Sequence, residues 1–250
     1  MKGLILNKLM CKYPIVNTTA TRAARLFIRM SSPVLQRVEK LLHATYPLCT
    51  DPDFLELFRN KRVAVVGNGS NIEGRGSDID SHDVVIRFNF GVLPEHLNSQ
   101  NTGTKTTVAS LGAMQVIASK DILDAVNAAI EGILFNVGTS GDSSRPSFVL
   151  NRFFIRNRYG KSQGKLALIP YELWSKLETS LDGSPPSTGY STLMILLMYA
   201  EFQSLSIYGF EFTANNRIVG NMGQVSHAFN REQQNILTQI EGRENVQFHR

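Results

Sequence analysis

Val63-Ala64-Val65-Val66-Gly67-Asn68-Gly69-Ser70-Asn71 joins a short apolar run to a glycine-rich turn. An apolar run of that length, closed by glycine, predicts a strand buried on both faces, as in a parallel sheet. An α/β sheet presents ligands at the carboxyl ends of such strands. The glycines let backbone approach a phosphate closely, and the asparagine amides add uncharged donors and acceptors. Position 72 is Ile72, so Gly67-x-Gly69 lacks the third glycine of a dinucleotide fingerprint. No Gly-Lys-Ser/Thr follows, which excludes a Walker loop.

Outward from this turn the pattern repeats. Val84 to Phe88, Thr106 to Ser110, Ile133 to Phe135, Leu166 to Ile169 and Leu205 to Phe210 predict further strands. Helices are predicted between them, over Ala113 to Ile130, Thr192 to Phe202 and Gln224 to Ile240, with a short one from Asp51-Pro52 to Phe58. Before these, Val34, Val38, Leu41 and Leu42 recur at helical spacing. Strands alternating with helices imply an α/β fold built on a mostly parallel sheet. Gly138 to Ser147 reads as a surface loop.

The chain has 250 residues with 42% hydrophobic content, enough for a sizeable core and too apolar for a disordered chain. Cys11 and Cys49 are the only cysteines, which excludes a disulfide framework and a Cys/His zinc cluster. The net charge of +5 suits an anionic small molecule, and without a basic run no nucleic-acid partner is expected. No stretch reaches the roughly 18 apolar residues of a membrane span. Residues 1–32 form a basic arm or helix, acid-free and rich in Ser and Thr, which is the composition of a targeting segment or of a peripheral membrane contact. Residues 33–250 then form one domain. The expected location is cytoplasmic or peripheral to a membrane, with the Golgi or another organelle as the alternative.

Asp78-Ile79-Asp80 invites a metal reading, since two carboxylates on one side of an extended segment can share a divalent cation. Asp80-Ser81-His82-Asp83 contains the residue types of a catalytic triad, but neighbours along an extended chain point to opposite faces.

Read together, Val63 to Asn68, Asn71 and Ile79-Asp80-Ser81-His82-Asp83-Val84-Val85-Ile86-Arg87-Phe88-Asn89 resemble the large sialylmotif of glycosyltransferase family 29, the sialyltransferases. Thr102-Gly103-Thr104-Lys105-Thr106-Thr107 resembles the close of that motif. Pro186-Ser187-Thr188-Gly189 through Ile207-Tyr208-Gly209-Phe210 resembles the small sialylmotif, and His227 with Glu232 fits the very small His-x4-Glu motif. The three occur in the family's order. The cysteines that join the first two motifs in animal members have no counterpart here, and Asn215 to Gly223 contains no His for the family's short aromatic/His motif.

The resemblance implies a single-domain Rossmann-like fold (a GT-A variant) with helices flanking the sheet. It implies an inverting transfer of a sialic-acid-like sugar from a CMP-sugar donor to a glycan hydroxyl, with neither metal nor cofactor. His227 matches the general base, suited by an imidazole pKa near the operating pH. Asn68 and Asn89 match donor-contacting asparagines, with Asn71 a further candidate. Ser187, Thr188 and Gly189 open an apolar helix, so their amides and the Ser187 hydroxyl are expected at a donor anion, where a branched side chain at Gly189 would intrude. Gly209 ends a strand where backbone can approach a ligand. Open alternatives are a CMP-Kdo-type transferase, a metal-dependent transferase using Asp78 and Asp80, and a non-catalytic nucleotide-binding module.

Overall fold

Strands β1 (Arg62–Val66), β2 (Val84–Phe88), β3 (Val108–Leu111), β4 (Gly132–Phe135), β5 (Lys165–Leu168), β6 (Ser204–Tyr208) and β7 (Val246–Phe248) form one sheet in the order β5-β4-β3-β2-β1-β6-β7. The computed structural model describes residue 37 and residues 48–69, 72–112, 117–136, 154–155, 158–159, 165–211 and 228–249. Every pairing in the sheet is parallel, so the mostly parallel expectation becomes a fully parallel sheet among the described residues. The described helices are α1 (Pro52–Leu55), α2 (Gly76–Asp80), α3 (Lys120–Ala129), α4 (Tyr171–Ser180), α5 (Thr188–Tyr199) and α6 (Phe229–Ile240).

Successive strand side chains alternate between faces, and the core divides accordingly. Val63, Val65, Val84 and Ile86 join one cluster with Leu193 and Ile195 of α5, Trp174 of α4 and Ile236 of α6. Ala64, Val66 and Val85 face the other way, against Ile79 of α2. Further along that sheet, Ile133 and Phe135 pack with Ile122 and Val126 of α3. Both faces are thus covered, which is why the central strands read as continuous apolar runs. Helix α5 is buried from Tyr190 through Leu197, as a helix apolar all round must be.

The order of strands places the site. From β1 the chain builds β2 to β5 outward on one side, then returns to lay β6 and β7 on the other. The order therefore reverses between β1 and β6, and the crevice outside their carboxyl ends is the switch point where such sheets bind ligands. Register brings Val66 opposite both Arg87 and Tyr208, so the strands end level there.

Helix α5 starts at Thr188, a turn earlier than its apolar run predicts, because Ser187 caps it: the hydroxyl accepts the Tyr190 amide at 3.1 Å. Helix α3 starts at Lys120 with Ser119 as its cap. The N-terminal arm 1–32 and the 138–147 loop lie outside the described residues. Among the described residues no helix is long and apolar enough to cross a membrane.

Candidate active site

Two glycines from distant parts of the chain meet at the switch point. The Gly67 amide donates to Tyr208 O at 2.7 Å, and the Gly69 amide to Gly209 O at 2.9 Å. Gly209 has a φ of 69°, a left-handed conformation that favours glycine. A Cβ on Gly67 would press into the Gly209 carbonyl, and a Cβ on Gly209 would lie 2.8 Å from Gly67 O. Bare backbone is therefore what allows β1 and β6 to end side by side.

The other predicted donor residues ring this pair. Asn68 follows Gly67 and lines a surface depression with Val66, Ile72, Arg87, Gly91 and His96. Its Oδ1 lies so close to Gly91 that a Cβ there would stand 2.6 Å away. Asn89 leaves β2 with a φ of 50°, which asparagine tolerates better than most residues, and its Oδ1 accepts the Gly112 amide at 2.8 Å. Gly112 in turn has no Cβ where the Thr188 hydroxyl sits. Gly189 makes room for the Phe210 ring, since a Cβ there would stand 2.8 Å from Cε1. Phe210 meets Phe88 edge-on, with ring centroids 5.8 Å apart. Asn68, Asn89, Thr188, Gly189 and Gly209 are thus assembled at the carboxyl end of the central strands. Asn71 and His227 lie outside the described residues.

The Gly189 expectation changes in one respect. The space beside its Cα holds an aromatic ring, so a branched residue there would disturb packing as well as a ligand. Gly112 and Phe210 were not singled out from sequence as partners of the site. Their role rests on contacts between distant segments, which leave no local pattern.

Ser187 has a second bond. Glu232, on the first turn of α6 and only 1% exposed, accepts the Ser187 amide and hydroxyl, each at 2.7 Å. A carboxylate that deep is tolerable only when hydrogen-bonded. The pair ties the start of α6 to the start of α5. With its single proton given to Glu232, Ser187 would meet an anion only after releasing that bond. The amides of Thr188 and Gly189, first in the helix, have no intrahelical partner and lie at the positive end of its dipole.

The two aspartates of Asp78-x-Asp80 lie on a helix, α2, not on an extended segment. Residues two apart on a helix do not share a face. Asp78 accepts the Tyr208 hydroxyl at 2.8 Å. Asp80 instead accepts the amides of Thr104 and Lys105 at 2.8 and 2.9 Å, in a turn that closes through Gly103 at a φ of 73°. Burial raises the Asp80 carboxyl, but the amides of Lys105 and Thr104 outweigh it and hold the group below its usual range. Arg87, nearly buried, donates to the carbonyls of Thr102 and Lys105 at 2.7 and 2.9 Å. Burial pulls its guanidinium down to about 10, against the raising influence of Asp80. The Asp-Ser-His-Asp segment thus works as a brace for the Thr102–Lys105 turn.

A pH dependence follows. A carboxyl whose pKa is depressed on folding supplies stability above its ordinary value and loses it as pH falls through the folded value. Asp80→Asn should lower stability at neutral pH and flatten its decline between about pH 5 and pH 2, read from urea midpoints. A wild-type-like acid limb in the variant would remove Asp80 from this role.

Residues 18–137, which span the β1 turn, Asn89 and the Asp80 brace, match the family model for glycosyltransferase family 29 (sialyltransferase). Over that stretch, just under half of its length, the chain is similar to glycosyltransferase family 29. A human relative, beta-galactoside alpha-2,6-sialyltransferase 1, is 31% identical over 169 residues, which is 60% of this chain. The chain spans 40% of that relative's length. Two crystal structures of a mammalian sialyltransferase, one in complex with Gal-beta-1-3GalNAc-ortho-nitrophenol, superpose with a TM-score of 0.54. Each is 18% identical and the match covers 92% of this chain and 84% of that one, so this chain shares the fold of that sialyltransferase.

Proposed function

We propose that this chain is an inverting, metal-independent glycosyltransferase that moves a sialic-acid-like sugar from a CMP-sugar to a glycan hydroxyl. One observation carries the reading: at the switch point of a parallel sheet, Asn68, Asn89 and the first turn of α5 surround a glycine pair that leaves backbone bare. That arrangement offers neutral amides and the positive end of a helix dipole to a phosphate and a carboxylate, the two anions of such a donor. The human relative's name supports the sugar class.

The reaction asks little covalent chemistry of the protein. The acceptor oxygen attacks the anomeric carbon, the bond to the phosphate oxygen breaks, and CMP leaves with the electron pair. The acceptor proton passes to a base, for which we assign His227, the residue before the Ala228 cap of α6. Helix amides at α5 stabilise the charge gathering on the phosphate. Glu232 holds that helix start against α6, so donor site and base would share one support.

Separate partners for Asp78 and Asp80 support the metal-free scheme. Transfer is expected to persist at full rate in excess EDTA, measured as CMP release. Activity lost to EDTA and restored by Mn²⁺ or Mg²⁺ would return Asp78 and Asp80 to a cation-binding role.

A further inference from the structure

Three buried polar side chains meet under the first turn of α5. Ser110 lies in β3, Asn136 follows β4, and Thr192 is in α5; they are 0%, 2% and 0% exposed. Asn136 Nδ2 donates to Ser110 Oγ at 2.7 Å and to Thr192 Oγ1 at 3.0 Å. The two hydroxyl oxygens are 2.8 Å apart, and Thr192 Oγ1 donates to the Thr188 carbonyl at 2.9 Å.

Counting protons gives this cluster a direction. The Thr188 carbonyl can only accept, so it takes the single Thr192 hydroxyl proton. The short contact between hydroxyls then needs the Ser110 proton. Both oxygens are left as acceptors, and the two N–H groups of Asn136 fill them. The bonds therefore run one way, from Asn136 through Ser110 and Thr192 to the carbonyl of Thr188. Asn136 Oδ1 is left buried, with no partner among the described residues.

Stability does not account for the arrangement. An unpaired buried carbonyl costs about 1–3 kcal/mol, and an apolar trio of the same shape would avoid that cost. What the cluster does fix is location. It ends on Thr188, whose side chain sits against Gly112 and whose amide, with that of Gly189, opens the helix toward the crevice.

We propose that Asn136 is a positioning residue for donor binding: through Ser110 and Thr192 it sets the height and rotation of the first turn of α5, aiming the Thr188 and Gly189 amides at the donor anion. This rests on the CMP-sugar reading above. Asn136 touches no substrate; its influence passes through the helix.

The test uses Thr192→Val, which keeps shape and loses the hydroxyl, and Thr192→Ser, which restores it. CMP affinity by calorimetry, kcat, melting temperature and amide exchange of Tyr190 and Ser191 are measured on the full chain. Thr192→Val should weaken CMP binding about tenfold, with kcat at saturating donor near wild type, and Thr192→Ser should recover the affinity. Amides of Tyr190 and Ser191 should exchange faster in Thr192→Val. Unchanged CMP affinity in a folded Thr192→Val protein overturns the proposal. Should that variant not fold, the apolar triple Ser110→Ala, Asn136→Leu, Thr192→Val takes its place; it should fold and bind CMP weakly, and wild-type affinity in it is equally fatal. If the wild-type protein binds no CMP, the donor reading itself has failed. Amide exchange then decides alone: faster exchange supports positioning by this cluster, and unchanged exchange refutes it.

Discussion

With His227 replaced by alanine, transfer is expected to fall by about 10²–10⁴-fold while CMP affinity stays near wild type, because a positioned base contributes that much to a step in which a hydroxyl proton departs. The proposed donor contacts come from other segments: Asn68 after β1, Asn89 after β2 and the start of α5. Removing an imidazole before α6 leaves all of them in place. The loss should therefore appear in kcat and not in CMP binding. Activity within a few-fold of wild type would take His227 out of the mechanism, and a matching loss of CMP affinity would make it a binding residue instead.

Gly67→Val is expected to destabilise the whole domain by about 3 kcal/mol, the upper end for an overpacked core. The new Cβ would drive into the Gly209 carbonyl and stand 2.8 Å from its carbon, with Phe210 Cδ2 at 3.0 Å. Two of these three atoms are backbone, so no rotamer change relieves the clash. Strands β1 and β6 would have to part where the Gly67 amide bonds Tyr208 O. For a chain of this size that loss corresponds to a fall in melting temperature of roughly 6–12 °C. Gly74→Ala is the control for an added Cβ without a clash, because nothing lies within 4 Å of it, although Gly74, unlike Gly67, has a positive φ of 76°. It should cost about 1–2 kcal/mol, from the left-handed backbone alone. Equal melting temperatures for the two variants would show that the glycine contact is not what joins the strands.

Central strands were legible in the sequence because burial on both faces writes an apolar run that no surface strand can carry. Val63 to Val66 and Val84 to Phe88 are of this kind. Strand β7 was not, since Val246-Gln247-Phe248 is too short for a period and pairs only with β6 at the edge. Helix α2 was missed because Gly76-Ser77-Asp78-Ile79-Asp80 contains poor helix formers. It is held by tertiary bonds from Asp80 to Thr104 and Lys105. Helix α4, from Tyr171 to Ser180, is a further element not read from the sequence; its buried residues Leu173, Trp174 and Leu177 do carry helical spacing.

The site divides in a similar way. Ser187-Thr188-Gly189 was readable as a helix start, because a hydroxyl residue before an apolar run is a local pattern. That the hydroxyl is committed to Glu232 was not readable, since the partner comes from another helix. Gly209 was legible as a strand end, whereas its contact with Gly67 arises only when β6 returns to lie beside β1. Asn136 carried no motif at all. Its neighbours Ser110 and Thr192 come from other elements, and only the folded sheet brings a polar trio under α5.

The most direct measurement is turnover of a CMP-sugar donor panel, CMP-sialic acid and CMP-Kdo included, with several glycans, following CMP release together with the anomeric configuration of the product. The account predicts release of CMP from a carboxylated sugar donor, stimulated by a glycan acceptor, with inverted configuration. Binding of CMP without turnover of any donor, or a product of retained configuration, would contradict it.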